Sequence, residues 1–270
     1  MALSPGTGPF AHRPAGQTNF RIEGPAHRLY LDDYPRRIRA ELGGETVIDT
    51  VDGKLLYESS LSPVLYVPQA DVRADLIEPT DHTTHCPFKG DASYWTVRGN
   101  TVAENALWGY PEPIAEAAWL LGYVAAYWGR FDAWYEEEER INRIRDPYHR
   151  VDIRPTAAHV TVRAHGEVIA ESAQARLLFE TGLPPRAYLP LADVRGDVLV
   201  ANANTTYCPY KGTATYWSVR AGGRTIEDAA WTYAEPYDES AAAAGLISFL
   251  ADGVEVEIDR SATPRLRAAA

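Results

Sequence analysis

Apolar and polar residues alternate with a period of two along most of this 270-residue chain. The alternation is clearest in 254–259 and in 159–170, where it is interrupted at His165-Gly166. A period of two places apolar side chains on one face of a β-strand, and a glycine at the interruption is typical of a hairpin turn. Similar short runs are separated by Gly, Pro, Asn and Asp, so the pattern predicts a mainly β protein built from small antiparallel sheets.

Helical patterns are confined to a few segments. Two Ala-rich segments that begin just after a proline, 113–119 and 236–244, predict one short helix in each half of the chain. The charge run 136–145 contains Glu and Arg residues four apart, a spacing that supports a short charged helix.

An internal repeat organises the chain. A shift of 122 positions aligns 44–98 with 166–220 without a gap, and 25 of these 55 pairs are identical. One extra residue then enters near Gly222, after which the register continues through Trp108 and Trp231. A repeat this long indicates two duplicated domains, each with its own core. The predicted organisation is a tail and lead-in (1–35), a first domain (36–139), a linker (140–155), a second domain (156–260) and a C-terminal tail (261–270).

The most similar segments of the two copies are Thr-Thr-His-Cys-Pro-Phe-Lys-Gly at 83–90 and Thr-Thr-Tyr-Cys-Pro-Tyr-Lys-Gly at 205–212. They contain the only two cysteines of the chain and two of its three lysines, against 23 arginines. Proline holds the preceding cysteine extended, and glycine permits a positive φ, so each motif predicts a sharp turn at the end of a strand.

Three interpretations of this turn stay open. The ammonium of Lys89 would favour the thiolate of Cys86, which would then act as a nucleophile or redox thiol assisted by His85 or Glu104. Lysine would instead anchor an anionic or carbonyl-bearing ligand. The third interpretation is structural: the cysteine is a small buried apolar residue and the lysine pairs with a carboxylate, for which Glu104 and Glu227 are the expected partners.

Aromatic residues recur around the two motifs. Tyr and Trp suit the wall of a small-molecule site, and they fill a small β core equally well. The residues expected to line a ligand site are Tyr66, Thr84, Tyr94, Trp108, Tyr188, Thr206, Cys208, Lys211, Tyr216, Glu227 and Trp231.

A metal site is not expected. His82, His85 and Cys86 are donor types that zinc accepts, but neighbours this close on an extended strand point to opposite faces. The second copy has Asn204 and Tyr207 at the two histidine positions. His82 and His85 therefore remain only weak metal candidates.

Charge and composition exclude several classes. The formal net charge of −11 argues against nucleic acid and against an anionic membrane surface as partners. The N-terminus has no apolar signal region and no run reaches the length of a membrane span, so we expect a cytoplasmic protein with reduced thiols. Phosphate-loop, dinucleotide-binding and serine-hydrolase motifs are absent.

The motif at 81–95, followed by Ala-Glu-Asn-Ala-Leu-Trp-Gly-Tyr-Pro-Glu-Pro at 103–113, resembles the family called domain of unknown function 427. The resemblance covers both copies and implies small all-β domains, β-tent-like or barrel-like. It implies no reaction. The family is sometimes labelled nucleotidyltransferase-like, but this chain lacks the Gly-Ser and Asp-x-Asp residues that such an enzyme needs. The signature that it implies consists of Thr84, Cys86, Lys89, Gly90, Tyr94 and Trp108, with Thr206, Cys208, Lys211, Gly212, Tyr216 and Trp231 in the second copy.

Three functions follow as hypotheses. The first is a binding protein with a Lys/Cys/aromatic site for a small molecule in each copy. The second is an enzyme that uses Cys86, and the third is a structural or interaction protein. The sequence identifies no cofactor and defines no oligomeric state.

Overall fold

The computed structural model describes residues 24–261. The chain divides into two compact units, the first ending at Tyr148 and the second beginning at His149. Each unit consists mainly of antiparallel strands, which confirms the predicted mainly β fold with two tandem sheet-rich halves. Of the predicted tails 1–35 and 261–270, residues 1–23 and 262–270 lie outside the described residues.

The first unit contains eleven strands: β1 (Leu29–Tyr34), β2 (Ile38–Leu42), β3 (Glu45–Thr50), β4 (Gly53–Glu58), β5 (Val64–Pro68), β6 (Ile77–Cys86), β7 (Gly90–Arg98), β8 (Val102–Pro113), β9 (Tyr123–Ala126), β10 (Ala133–Glu136) and β11 (Glu139–Ile141). Seven of them form a large sheet in the order β1-β4-β5-β9-β8-β7-β6. The other four form a small sheet in the order β11-β10-β2-β3.

The second unit repeats this plan with ten strands: β12 (Val151–Pro155), β13 (His159–Ala164), β14 (Glu167–Ser172), β15 (Arg176–Glu180), β16 (Arg186–Pro190), β17 (Leu199–Cys208), β18 (Gly212–Ala221), β19 (Arg224–Tyr233), β20 (Leu246–Phe249) and β21 (Val254–Asp259). The large sheet has the order β12-β15-β16-β20-β19-β18-β17, and the small sheet has the order β14-β13-β21. Each sheet ends on an edge strand, so the sheets are open and the barrel-like alternative is wrong.

Period-two alternation gives the large sheet of the first unit two apolar faces. Leu55 and Val67 lie on the face that packs against the small sheet. There they form one cluster with Ile38 and Ile48 of the small sheet. Their neighbours along the strands, such as Tyr66, point to the opposite face and form a second cluster. The second unit has the same pair of clusters.

The predicted helices are 3₁₀ segments at the expected places. Ala115–Leu120 follows β8, and Asp238–Ala243 follows β19. Ala117 and Leu120 are buried in the second apolar cluster of their unit, so this segment covers the face that the small sheet leaves open. Each is six residues long, and Ala117 inside the first segment has non-helical dihedral angles (φ −121°, ψ 17°).

The charged helix predicted over 136–145 is wrong, because the segment forms the hairpin β10–β11. Trp134 and Ile141 face each other across this hairpin and pack on the core, which outweighs the helical pairing of exposed charges. The acidic side chains instead meet arginines of the neighbouring strand, and Arg39 Nη2 lies 3.0 Å from Glu138 Oε2.

Two strands lie in the segments assigned to the lead-in and the linker. The lead-in 1–35 contains β1, which is an edge strand of the large sheet. The linker 140–155 contains β12, which pairs with β15 of the second unit. Within the described residues no helix is long and apolar enough to cross a membrane.

Candidate functional site

The Cys-Pro-aromatic-Lys-Gly motif forms the tight turn between β6 and β7. The backbone N–H of Lys89 donates to the carbonyl oxygen of Cys86 at 3.2 Å. Gly90 has φ +107°, and a Cβ there would lie 3.1 Å from the carbonyl oxygen of Glu112. Gly212 repeats this geometry with φ +93° and the carbonyl oxygen of Glu235 at the same 3.1 Å. The predicted turn and the need for glycine are therefore confirmed in both copies.

The lysine side chain turns inward and binds a buried carboxylate. Lys89 is 8% exposed and donates to Glu58, which is 6% exposed at the end of β4. The other carboxylate oxygen of Glu58 lies 3.2 Å from Nε2 of His27. In the second unit Lys211 donates to Glu180 at 2.7 Å, and Nε2 of His149 lies 3.1 Å from the same carboxylate. We call each of these trios a His–Glu–Lys cluster.

An aromatic ring covers each His–Glu–Lys cluster. The His27 ring stacks on Phe88 with centroids 3.9 Å apart, and the His149 ring stacks on Tyr210 at 4.0 Å. Both aromatic residues come from the Cys-Pro-aromatic-Lys turn. The cluster and its ring therefore fasten the segment before the first strand to the end of β4 and to the β6–β7 turn, with the equivalent contacts in the second unit.

The charges in the second cluster support one another. Burial of Glu180 by itself would raise its pKa, but the hydrogen bond from His149 and the charge of Lys211 outweigh burial and lower the pKa to about 2. Glu180 is thus ionised over the ordinary pH range and accepts hydrogen bonds from both neighbours.

Glu104 and Glu227 are not the lysine partners, so that prediction is wrong. Glu104 is exposed on β8, and its carboxylate has no hydrogen bond or ion pair within residues 24–261. Glu227 instead accepts a hydrogen bond from Ser218 on the neighbouring strand. Extended-strand geometry explains the error, since the lysine turns toward the end of β4 and away from the middle of β8.

Most of the predicted aromatic residues do gather on one face of the large sheet. Tyr66 and Tyr94 are buried there, with Cys86 and Trp108 packed against them. In the second unit Tyr188, Tyr216 and Trp231 share the equivalent cluster. The observed packing agrees with the structural interpretation of these aromatics as core residues.

Specific hydrogen bonds link the signature residues in both copies. Thr84 Oγ1 lies 2.9 Å from the Tyr94 hydroxyl, and Thr206 and Tyr216 repeat the contact at 2.9 Å. The Trp231 indole donates to the Tyr188 hydroxyl at 3.1 Å. Burial raises the pKa of Tyr188 to about 12, although the hydrogen bond from Trp231 and the positive charge of Arg186 each act to lower it.

The thiols lie beside these phenols. Both cysteines are half-buried and neither forms a disulfide. Burial raises the pKa of Tyr110, and the neighbouring Cys86 and Glu58 raise it further. Tyr110 also lies under the ammonium of Lys89, with Nζ 5.8 Å from the ring centroid. Thiol, phenol and ammonium are therefore close neighbours at this end of the sheet.

The two histidines of the first motif differ in their contacts. His85 is exposed, with Nδ1 2.6 Å from a carboxylate oxygen of Asp91. His82 packs against Tyr94 with ring centroids 4.4 Å apart. Within residues 24–261 no three His, Cys, Asp or Glu side chains are placed to hold one metal ion.

An open cleft of about 480 Å³ lies beside Trp108 in the first unit. Trp108 packs on Tyr127 with ring centroids 4.5 Å apart. The cleft is lined by Pro63, Val64, Trp108, Ala126, Tyr127, Trp128, Gly129, Arg130 and Arg143. Neither Lys89 nor Cys86 is part of this lining.

Several residues of these sites were missing from the sequence-based prediction. Glu58 and Glu180 are an identical pair inside the 55 aligned positions, and His27 and His149 continue the same shift of 122 before them. That shared register was the available signal. Arg130 and Arg143 carry no such signal, because the cleft that they line has a different composition in the second copy.

The fold and the repeated turn define a tandem all-β protein with one His–Glu–Lys cluster in each half. The family described as domain of unknown function (DUF427) matches residues 30–137 and 152–260, and the chain belongs to this family. The predicted family is therefore confirmed in both copies. No curated protein matches the chain.

Proposed function

We propose that the protein binds a small organic ligand in the cleft beside Trp108, and that the His–Glu–Lys clusters hold the sheet edges in place. The cleft volume of about 480 Å³ falls in the range of small-molecule sites. The observation that carries the proposal is the aromatic wall of Trp108, Tyr127 and Trp128 in an open cleft. Tyr127 is 46% exposed, so its ring offers apolar surface to a ligand.

This cleft is not the lysine site expected from the sequence. Lys89 and Lys211 are each buried against a carboxylate, so their ammonium groups are already paired. A ligand anchored on them would have to displace Glu58 or Glu180 and leave a buried carboxylate without its partner, which is costly. Binding at the cleft requires no such exchange.

Ligand-induced stabilisation tests this proposal. A ligand that binds only the folded protein stabilises it by RT ln(1 + [L]/Kd) and so raises the unfolding temperature. We expect hits from a library of aromatic metabolites to lose their effect in Trp108→Ala and to keep it in Trp231→Ala, the matched change in the second copy. A library without hits, or hits that survive Trp108→Ala, would contradict binding at this cleft.

The enzyme hypothesis keeps one supporting observation, the half-buried Cys86 thiol beside Tyr110 and Lys89. The rate of alkylation against pH is its test. A titration near that of a free thiol, at about pH 8.5, would remove the case for an activated nucleophile.

A further inference from the structure

The second copy closes the equivalent of the Trp108 cleft with one of its own side chains. Val64 at the start of β5 corresponds to Arg186 at the start of β16. The Arg186 guanidinium lies 5.2 Å from the centre of the Trp231 ring and donates to the carbonyl oxygen of Phe249 at 3.3 Å. The indole face that is open in the first copy is therefore covered in the second.

The remaining walls also differ between the copies. The chain has Leu250 and Ala251 where the first copy has Tyr127 and Trp128. Gly253 stands at the position of Arg130. The second copy thus lacks the aromatic wall as well as the open indole face.

The charge lining the first cleft is opposite in sign to that of the chain. The formal net charge is −11, yet the lining contains two arginines and no carboxylate. Neither the Arg130 nor the Arg143 guanidinium has an ion pair or hydrogen bond within the described part of the chain. Arg73 and Arg195, by contrast, each bind two carboxylates on the surface.

We infer that the ligand of the first copy is a planar organic anion, whose ring lies on the aromatic wall and whose carboxylate, sulfonate or phosphate group binds Arg130 and Arg143. This inference rests on the proposed function and names its ligand class. A planar guanidinium presents a rigid fork of N–H donors that forms paired, charge-assisted hydrogen bonds with the oxygens of such groups. One chain binds one such ligand, because the second copy lacks the aromatic wall and the counterpart of Arg130, and Arg186 covers its indole face as well.

A matched pair of fluorescent probes separates the ring from the charge. The probes are 8-anilinonaphthalene-1-sulfonate and its uncharged analogue N-phenyl-1-naphthylamine, titrated into the full-length protein. We expect the sulfonate to bind about tenfold more tightly or better, the ratio that one charge-assisted hydrogen bond supports. In Arg130→Gln/Arg143→Gln the preference should disappear, while the uncharged probe binds as before.

The residues of the second copy supply a sharper variant. Val64→Arg introduces the side chain that covers Trp231, and it should block both probes. Arg186→Val is the matched control and should leave affinity and the stoichiometry of one unchanged. Unfolding temperatures of all variants report whether each remains folded, and the exposed Arg130→Gln/Arg143→Gln pair gives a readout that does not depend on Val64→Arg folding.

The outcomes distinguish the two levels of the proposal. Equal affinities for both probes, together with loss of both in Trp108→Ala, would overturn the anionic class and leave the aromatic binding site standing. Failure of both probes to bind, or binding that Trp108→Ala does not change, would overturn the site itself. Two bound probes per chain would overturn the closure of the second copy by Arg186.

Discussion

The three lysines of the chain occupy two kinds of environment. Lys89 and Lys211 are buried and pair with the buried Glu58 and the largely buried Glu180, whereas Lys54 pairs with the exposed Asp33. A buried ammonium requires a partner because an isolated charge in a low-dielectric interior is strongly disfavoured. The two motif lysines therefore matter for folding in a way that Lys54 does not.

Loss of Lys211 should be strongly destabilising. Lys211→Met leaves Glu180 largely buried without its cationic partner, and we expect a loss of about 3–5 kcal/mol in the free energy of unfolding. Denaturant unfolding of the full-length chain measures it. The matched control is Lys54→Met, for which a loss below about 1 kcal/mol is expected.

The double variant Lys211→Met/Glu180→Met provides a further check. Apolar replacement of both partners removes the uncompensated carboxylate, so part of the stability should return. If the double variant is as unstable as the sum of the single changes, the pair is not the coupled unit described here.

The depressed pKa of Glu180 predicts acid sensitivity with a defined sign. The pKa is about 2 in the folded protein and near 4.5 in the unfolded chain, so between these values the unfolded state binds more protons. The stabilisation is complete above pH 4.5 and is lost as the pH falls toward 2.

Comparison with Glu180→Gln isolates this contribution from those of other carboxylates. Asp75 and Asp197 also have lowered pKa values because of hydrogen bonds from Arg73 and Arg195. We expect the stability difference between wild type and Glu180→Gln to shrink as the pH falls from 4.5 to 2. A constant difference over that interval would contradict the assignment.

At the level of elements, the turn before β18 has little tolerance for a side chain. Gly212→Ala forces a Cβ toward the carbonyl oxygen of Glu235 at a backbone φ of +93°, and we expect a loss of about 1–3 kcal/mol. Gly196→Ala is the control, because Gly196 has open space around its Cβ position. Thermal unfolding of both variants tests the difference, and equal effects would argue against strain at the turn.

Local patterns predicted the elements whose neighbours along the chain determine their structure. The hairpin at His165-Gly166 and the strand Val254–Asp259 follow directly from period-two alternation and a turn glycine. The helix prediction for the charged segment near Glu138 was wrong because helical spacing describes only local charge pairs. The partners of Glu138 in the structure are arginines about 100 residues away.

The candidate site was predictable only in part for the same reason. The repeat brought attention to Cys86, Lys89 and the aromatic cluster, which do lie at one end of the sheet. Glu58 lies 31 residues before Lys89, and only strand pairing brings the two together. Sequence proximity to the motif therefore favoured Glu104, the wrong carboxylate.

For the whole molecule, duplication has preserved the His–Glu–Lys clusters and changed the cleft. Both clusters retain His, Glu and Lys at the same shift of 122, while Val64 is matched by Arg186. Groups needed to hold each fold must be kept in both copies, but a ligand site can be kept in one. This contrast is what we expect if the clusters are structural and the cleft is functional.

The extent of the second unit can be tested with fragments. A fragment 147–261 contains His149 and Arg150, whereas a fragment 151–261 lacks His149, one of the two partners of Glu180, and the hydrogen bond from the Arg150 backbone N–H to the Thr181 hydroxyl oxygen at 2.9 Å. We expect the shorter fragment to be less stable by about 1–3 kcal/mol, the cost of leaving a buried acceptor unsatisfied. Equal unfolding midpoints would show that His149 contributes little.

Tyr148 and His149 are adjacent in the sequence, but their side chains form hydrogen bonds in different halves of the chain. The Tyr148 hydroxyl donates to Asp32 at 2.7 Å, while His149 approaches Glu180 in the other half. An insertion between these residues tests whether each half tolerates separation without losing a native contact. Because the hydrogen bonds described above each lie within one half, a protease site introduced at this bond and cut after folding would leave all of them in place.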